Sequence, residues 1–231
     1  MRVNKWGVGI MIAAAMVLTG CASGSNEPAD KKPTESTQEE AAPESNCPEL
    51  AEGATIDGAV LSECAMDAMM ASAGYAATMT TLGMETTSRY NPAEGAVETL
   101  SPMGSMVIIG DDVWVKSSTS EWQAADPESS DPVIAGLSMG AAAVDPKDPT
   151  AMAALSGEFT VTGTGTRLGQ DVFLLTGTAD SQGVAVDMVL EVTSDYVTLA
   201  TTATTEAEGQ TFESVQEVTE WDVKQDIVAP L

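Results

Sequence analysis

From Tyr75 onward the sequence runs in short stretches of alternating side chains separated by Gly, Asp and Asn. This period of two restricts the fold more than any other feature. In GVAVDMVLEVT (residues 183–193), Val184, Val186, Met188, Leu190 and Val192 fall on one side of a strand, where a helix would scatter them. Thr, Ala, Gly and Val dominate the region, a composition suited to pleated sheet. ATMTTLGMETTSRY (77–90) reads as one long strand closed by NPAEG. AVETL (96–100) follows, then SMVIIGDDVWVK (105–116) as two short strands about a Gly-Asp-Asp turn. After residue 157, EFTVTGTGTRLG, QDVFLLTGTAD, GVAVDMVLEVT, DYVTLATTAT and TFESVQEVTEWD read as five more strands.

Two segments break the alternation. DGAVLSECAMDAMMASAG (57–74) is the clearest helix: Val60, Leu61, Cys64, Met66, Met69 and Met70 approximate one broad apolar face, and Gly74 supplies a stop. Residues 126–156 hold four Asp-Pro pairs and short Ala-rich, Met-containing helical pieces. The expected order is helix, four strands, helical insert, five strands. Short turns between successive strands require antiparallel pairing, so the fold class is α+β: one curved antiparallel sheet with its helices gathered on one side.

The first residues do not belong to that fold. Arg2 and Lys5 precede an uncharged run from Trp6 to Leu18. As a helix the run would cover only about 20 Å, short of the ~30 Å hydrocarbon core, and it reads as the apolar part of an export signal over residues 1–20. It ends in Leu18-Thr19-Gly20-Cys21, an aliphatic residue, two small ones and Cys, which is the pattern of a bacterial lipobox. Small residues let the peptide lie extended in a narrow protease site, and the Cys21 thiol takes the diacylglyceryl group. Several acyl chains on Cys21 would anchor the chain stably, where a single chain is marginal. The expected location is the extracytoplasmic face of the cell membrane, held there by lipid.

Residues 21–56 are the expected acylated cysteine and polar linker. Residues 22–46 are rich in Pro, Ser, Glu and Ala, with no aliphatic side chain larger than Ala, so burial cannot offset the entropy of ordering them. As a coil they span about 25–30 Å. The folded domain is expected over residues 57–231. Cys47 and Cys64 remain; in an exported protein they most simply pair, closing a 17-residue loop worth about 3 kcal/mol, with two free thiols as the alternative.

Charge and composition exclude several functions. The chain carries 35 acidic residues against 9 Lys and Arg, a formal net charge of −26. Binding to nucleic acid needs a cationic footprint that is absent, and attraction to anionic headgroups is disfavoured for the same reason. The plain reading of such acidity is a solvated, aggregation-resistant surface. There is no histidine, hence neither the commonest general base nor the commonest metal ligand. GLSMG (136–140) fits G-x-S-x-G, but Ser138 has no histidine base and no alternating α/β context, so the chain is read as non-enzymatic. GTGTRLG (163–169) lies between alternating strands and reads as a hairpin rather than a phosphate loop. Asp111 and Asp112 sit in a turn and Asp126, Asp131, Asp145 and Asp148 precede prolines, with no calcium-loop spacing. No metal and no cofactor is expected.

Thirteen methionines against three Phe stand out. Met66, Met69, Met70, Met79, Met84, Met103, Met106, Met139, Met152 and Met188 recur through helical regions and sheet alike. They read either as ordinary core filling or as the lining of an adaptable apolar cavity, since Met is flexible and polarizable.

The lipobox, the polar tether, the first helix and MVIIGDDVWVKSSTSEWQAAD (106–126) together resemble the LppX/LprA/LprF/LprG lipoprotein family of mycobacteria and other actinobacteria. The closing EWDVKQDIVAP, with Trp221, Asp222, Ile227 and Pro230, follows the same layout. The resemblance covers most of residues 57–231 and implies a LolA-like fold, a half-open antiparallel barrel whose concave side is covered by helices. It also implies an apolar cavity for the acyl chains of lipids or glycolipids carried across the envelope.

On that reading Met79, Leu82, Met84, Val107, Ile109, Val113 and Val115 of the first strands form the inner wall with Leu174, Val186, Met188 and Leu190 of the later ones. Met66, Met69, Met70, Ile134, Leu137 and Met139 form the helical cover. The partners would be the membrane, through the acyl chains, and a lipid or glycolipid, with no protein partner specified. The rival reading is a ligand-free envelope sensor or assembly protein that uses the same scaffold.

Overall fold

The computed structural model describes residues 47–144, 155–181, 183–207 and 209–230. Residues 1–46, which the sequence reading assigns to an export signal, an acylated Cys21 and a polar linker, and Met152 lie outside the described residues. Leu50 is buried, Cys47 is disulfide-linked to Cys64, and a strand begins at Thr55. The ordered fold therefore takes in residues 47–56, which the sequence reading had assigned to the linker.

Strand β1 (Thr55–Asp57) leads into helix α1 (Gly58–Ala71). Asp57 starts the helix by accepting hydrogen bonds from the backbone N–H groups of Ala59 (2.9 Å) and Val60 (3.4 Å). Then come β2 (Tyr75–Thr81), β3 (Met84–Asn91), β4 (Ala96–Leu100), β5 (Gly104–Ile109), β6 (Asp112–Ser117) and the short β7 (Gln123–Ala124). Helix α2 (Pro132–Ala142) is capped by the Asp131 carboxylate, with Pro132 in its first turn. The second run is β8 (Glu158–Arg167), β9 (Gln170–Ser181), β10 (Val184–Val192), β11 (Thr198–Ala207) and β12 (Gln210–Trp221).

All twelve strands form one open antiparallel sheet in the order β1-β8-β9-β10-β11-β12-β2-β3-β4-β5-β6-β7. Two meanders are thus joined where β12 pairs with β2. The two edges are strands of three and two residues, too short to template pairing with another chain. The five strands after residue 157 match the sequence reading. Residues 77–90 do not: they are not one strand but most of a hairpin, β2–β3, turning at Leu82-Gly83 with both residues at positive φ (53° and 76°). That is the two-residue hairpin turn whose twist suits the strands, here with Leu where Asn or Asp is usual.

Directly paired residues share a face of a sheet, so the register identifies which side chains line up. Met106, Thr99, Ser88, Ala77 and Val218 lie on one face through successive pairings. Gln216, two residues before Val218, continues that face through Thr201, Leu190, Leu175 and Val161. Both helices pack on it. Leu61 and Cys64 of α1 are buried with Ile56, Phe159, Val161, Leu175, Leu190 and Val192, and Ala141 of α2 with Val97 and Ile108. A third cluster, Val172, Val197, Leu199 and Val218, touches Ala68 and Trp221. α2 comes down directly on β5 because residue 104 is Gly: a Cβ there would sit 2.9 Å from Leu137 and Val133 and 2.7 Å from the Lys116 carbonyl oxygen.

Candidate functional site

The helix-bearing face is where the sequence reading puts a ligand. Between the two helices its floor is aromatic. Tyr75 pairs with Tyr90 across β2–β3 and with Trp221 across β12. Their rings stack at 4.7 Å (Tyr75–Tyr90) and lie 5.8 Å apart (Tyr75–Trp221). Burial pushes the Tyr75 hydroxyl well above its ordinary range, helped by the neighbouring Tyr90. Tyr90 is raised by burial as well, against a smaller opposing hydrogen bond from Ser88. The sequence reading passed over this trio as a site. Its signal was the hairpin centre, since 75 and 90 are equidistant from the Leu82-Gly83 turn.

The proposed wall residues divide. Val113, Val115, Val186, Met188 and Leu190 lie on the helix-bearing face, with Val115 and Leu190 buried. Met79 and Met84 lie on the same face near the β2–β3 tip, 41% and 46% exposed. Val107, Ile109 and Leu174 are on the opposite face, a correction to the expected wall. Val107 pairs with Trp114 and Ile109 with Asp112, so the Gly110-Asp111 turn sets odd-numbered residues of β5 against even-numbered ones of β6. Leu174 pairs with Glu191, while its neighbour Leu175 pairs with Leu190 on the helix side. Leu82 is on no strand at all; it forms the hairpin turn and is 65% exposed.

The expected helical cover divides too. On α1 the residues packed against the sheet core are Leu61, Cys64 and Ala68. Met66, Met69 and Met70 are half-buried, and at 100° per residue Met70 falls roughly opposite that contact stripe. On α2 Ile134 is buried and Leu137 half-buried, whereas Met139 is 58% exposed and covers nothing. Ser138 is buried, donates to the Ile134 carbonyl (2.7 Å) and accepts from the Asp126 N–H (2.8 Å), which ties the preceding loop to α2.

The opposite face is mixed: Ala76, Ala96 and Val107 are buried on it beside Arg89, Asn91 and Glu98. A shallow groove of about 360 Å³ there is lined chiefly by Thr176, Thr178, Asp187, Val189, Thr202 and Thr204. Residues 223–230 cross the same side further along: Arg89 donates to the Asp226 carbonyl, and Asn91 bonds the Gln225 backbone. The four cationic side chains among the described residues are all engaged internally. Arg89 pairs with Glu98, Arg167 with Glu191 and Glu217, and Lys224 with Glu94, while Lys116 lies 5.0 Å over the Trp122 ring. Among the described residues no three His, Cys, Asp or Glu side chains gather as a metal site requires, and no helix is long and apolar enough to cross a membrane.

No protein-family profile matches the chain, and no curated protein matches it in sequence. Among solved structures, the lipoprotein LppX of Mycobacterium tuberculosis is similar over 74% of this chain and 97% of its own, at 12% identity and a TM-score of 0.47. The MucA/MucB complex of Pseudomonas aeruginosa is similar over 71% of this chain and 56% of the matched one, at 13% identity and a TM-score of 0.38.

Proposed function

We propose that this protein is a lipid-anchored, extracytoplasmic, non-enzymatic lipoprotein that holds the acyl chains of a lipid or glycolipid against the helix-bearing face of its sheet, for transport in the envelope. The observation that carries the reading is the division of labour on that face. One continuous sheet surface lodges α1 and α2 in separate apolar clusters, an aromatic floor lies between them, and Met79 and Met84 stay exposed at one end. Apolar burial of about 0.8 kcal/mol per CH₂ would supply the affinity, selecting chain length more than headgroup. In this reading the sheet curves as a half-barrel, the helices cover its concave side, and acylated Cys21 keeps it beside its cargo.

Native mass spectrometry of the protein purified from its own host tests the proposal. Co-purifying acyl lipid is the expected result. Persistent emptiness, with no uptake from added lipid, would overturn it in favour of a ligand-free interaction protein. Cys21→Ser should release the protein from the membrane fraction; unchanged retention would refute the anchor.

A further inference from the structure

The apolar side chains left exposed are not scattered evenly. On the helix-bearing face at the tip of the β2–β3 hairpin, Met84 pairs with Thr81, and Met79 sits diagonally across from Met84. Leu82 caps the turn itself. Met103, 58% exposed, lies in the adjacent β4–β5 loop, because Leu100 pairs with Thr87, three residues below Met84. The acids nearest this tip, Glu85 and Glu213, are exposed and alternate with Met84 and Ser214, which places them on the opposite face. The hairpin end is therefore apolar on the helix side and acidic on the other.

We propose that this edge, Leu82 with Met79, Met84 and Met103, is a membrane-docking edge that lies against the bilayer and brings the helix-bearing face to its lipid source. The proposal rests on the lipid-carrier reading and names the partner surface of that same site. The length of chain ahead of the fold favours a bilayer as the occupant. From Cys21 to Cys47 there are 26 residue steps, up to about 90 Å fully extended, against about 40 Å for β9, a 12-residue strand. An anchored chain can thus turn this tip to the membrane wherever its tether leaves the fold. The contact is apolar rather than electrostatic, because all four cations of the described fold are engaged internally.

A second hairpin provides an internal control. Leu168-Gly169 joins β8 to β9 with the same two positive φ values, 50° and 75°, and Leu168 is also exposed. It lies at the other end of the sheet. Thr81, Ser214, Ala203, Met188 and Gly177 form one row, and Gly169 is eight residues along β9 from Gly177, about 26 Å at strand spacing.

The test uses the full acylated chain in phosphatidylcholine vesicles containing shallow nitroxide lipids. Leu82→Cys, Met103→Cys and Leu168→Cys are each labelled with an environment-sensitive fluorophore. Insertion to the headgroup–acyl boundary should roughly halve emission at positions 82 and 103 and leave 168 unchanged. Replacing part of the lipid with phosphatidylglycerol should weaken the quenching. Equal quenching at all three positions, or none at 82 and 103, would overturn the proposal. So would a blue shift at 82 without nitroxide quenching, which would mean a protein surface or a second copy covers the tip. Native mass spectrometry of the same preparations scores the carrier reading separately: bound lipid without quenching sinks only the docking edge, and quenching without bound lipid sinks only the carrier.

Discussion

The Asn91 side chain and the Gln225 backbone exchange two hydrogen bonds: Asn91 Nδ2 donates to the Gln225 carbonyl (2.9 Å), and the Gln225 N–H donates to Asn91 Oδ1 (2.8 Å). Both residues are buried. One amide side chain thus does for residues 223–230 what a neighbouring strand would do. Asn91→Ala leaves a buried N–H and carbonyl unpaired and should destabilise the fold by about 2–4 kcal/mol in urea denaturation. Hydrogen exchange at Gln225 should accelerate in the same variant; unchanged protection there would contradict this role.

All three tyrosines have hydroxyls raised above their ordinary pKa of 10.0, each chiefly by burial. A raised folded-state pKa means the stabilisation is fully present below pH 10 and is lost as pH climbs beyond it. The native protein should therefore show no tyrosinate absorbance step near pH 10, and the step should appear together with alkaline unfolding. In guanidinium the same residues should titrate normally. A native step near pH 10 that persists in a Tyr196→Phe variant would refute the buried floor of Tyr75 and Tyr90.

Arg167 holds Glu191 through two hydrogen bonds, of 2.7 and 2.8 Å, and Glu217 through one of 2.6 Å, clamping the β8–β9 tip across three strands. The guanidinium lowers the Glu191 pKa. A lowered carboxylate contributes stability above its unfolded pKa and loses it as pH falls through the folded value. Glu191→Gln should cost about 1 kcal/mol at neutral pH, discounted for partial exposure. The gap from the unchanged protein should close progressively below about pH 4.5. A gap independent of pH would show that the clamp is not ionic.

Leu168 occupies a left-handed backbone conformation at φ 50° before Gly169 at φ 75°, a turn that suits Asn-Gly. Leu168→Asn should stabilise the protein by about 0.5–1 kcal/mol, read as a higher midpoint of thermal unfolding. A lower midpoint would mean the exposed Leu168 side chain makes a contact that offsets its strained backbone.

Much of the sheet was legible because alternation is a local property. The strands after residue 157 and the span of helix α1 follow from period and from Gly74 as a stop, whereas the packed stripe proved to be Leu61, Cys64 and Ala68 rather than the broader face that took in Met66, Met69 and Met70. Residues 77–90 misled because Leu at position 82 is an unusual choice for a left-handed turn, so the usual Asn-Gly or Asp-Gly signal was missing. That one turn also hid the Tyr75–Tyr90 stack.

Sequence by itself determined which residues alternate, where the first helix lies, and that the chain is acidic and free of histidine. Only the tertiary structure decided which alternating set faces the helices. A strand's two faces are equivalent until a turn of definite length sets its partner's register, and a one-residue change in that register exchanges every side chain. Val107, Ile109 and Leu174 were assigned to the wrong face for that reason. Val115 and Leu190, indistinguishable from them by alternation, are buried beneath α2 and α1 because pairing turned them that way.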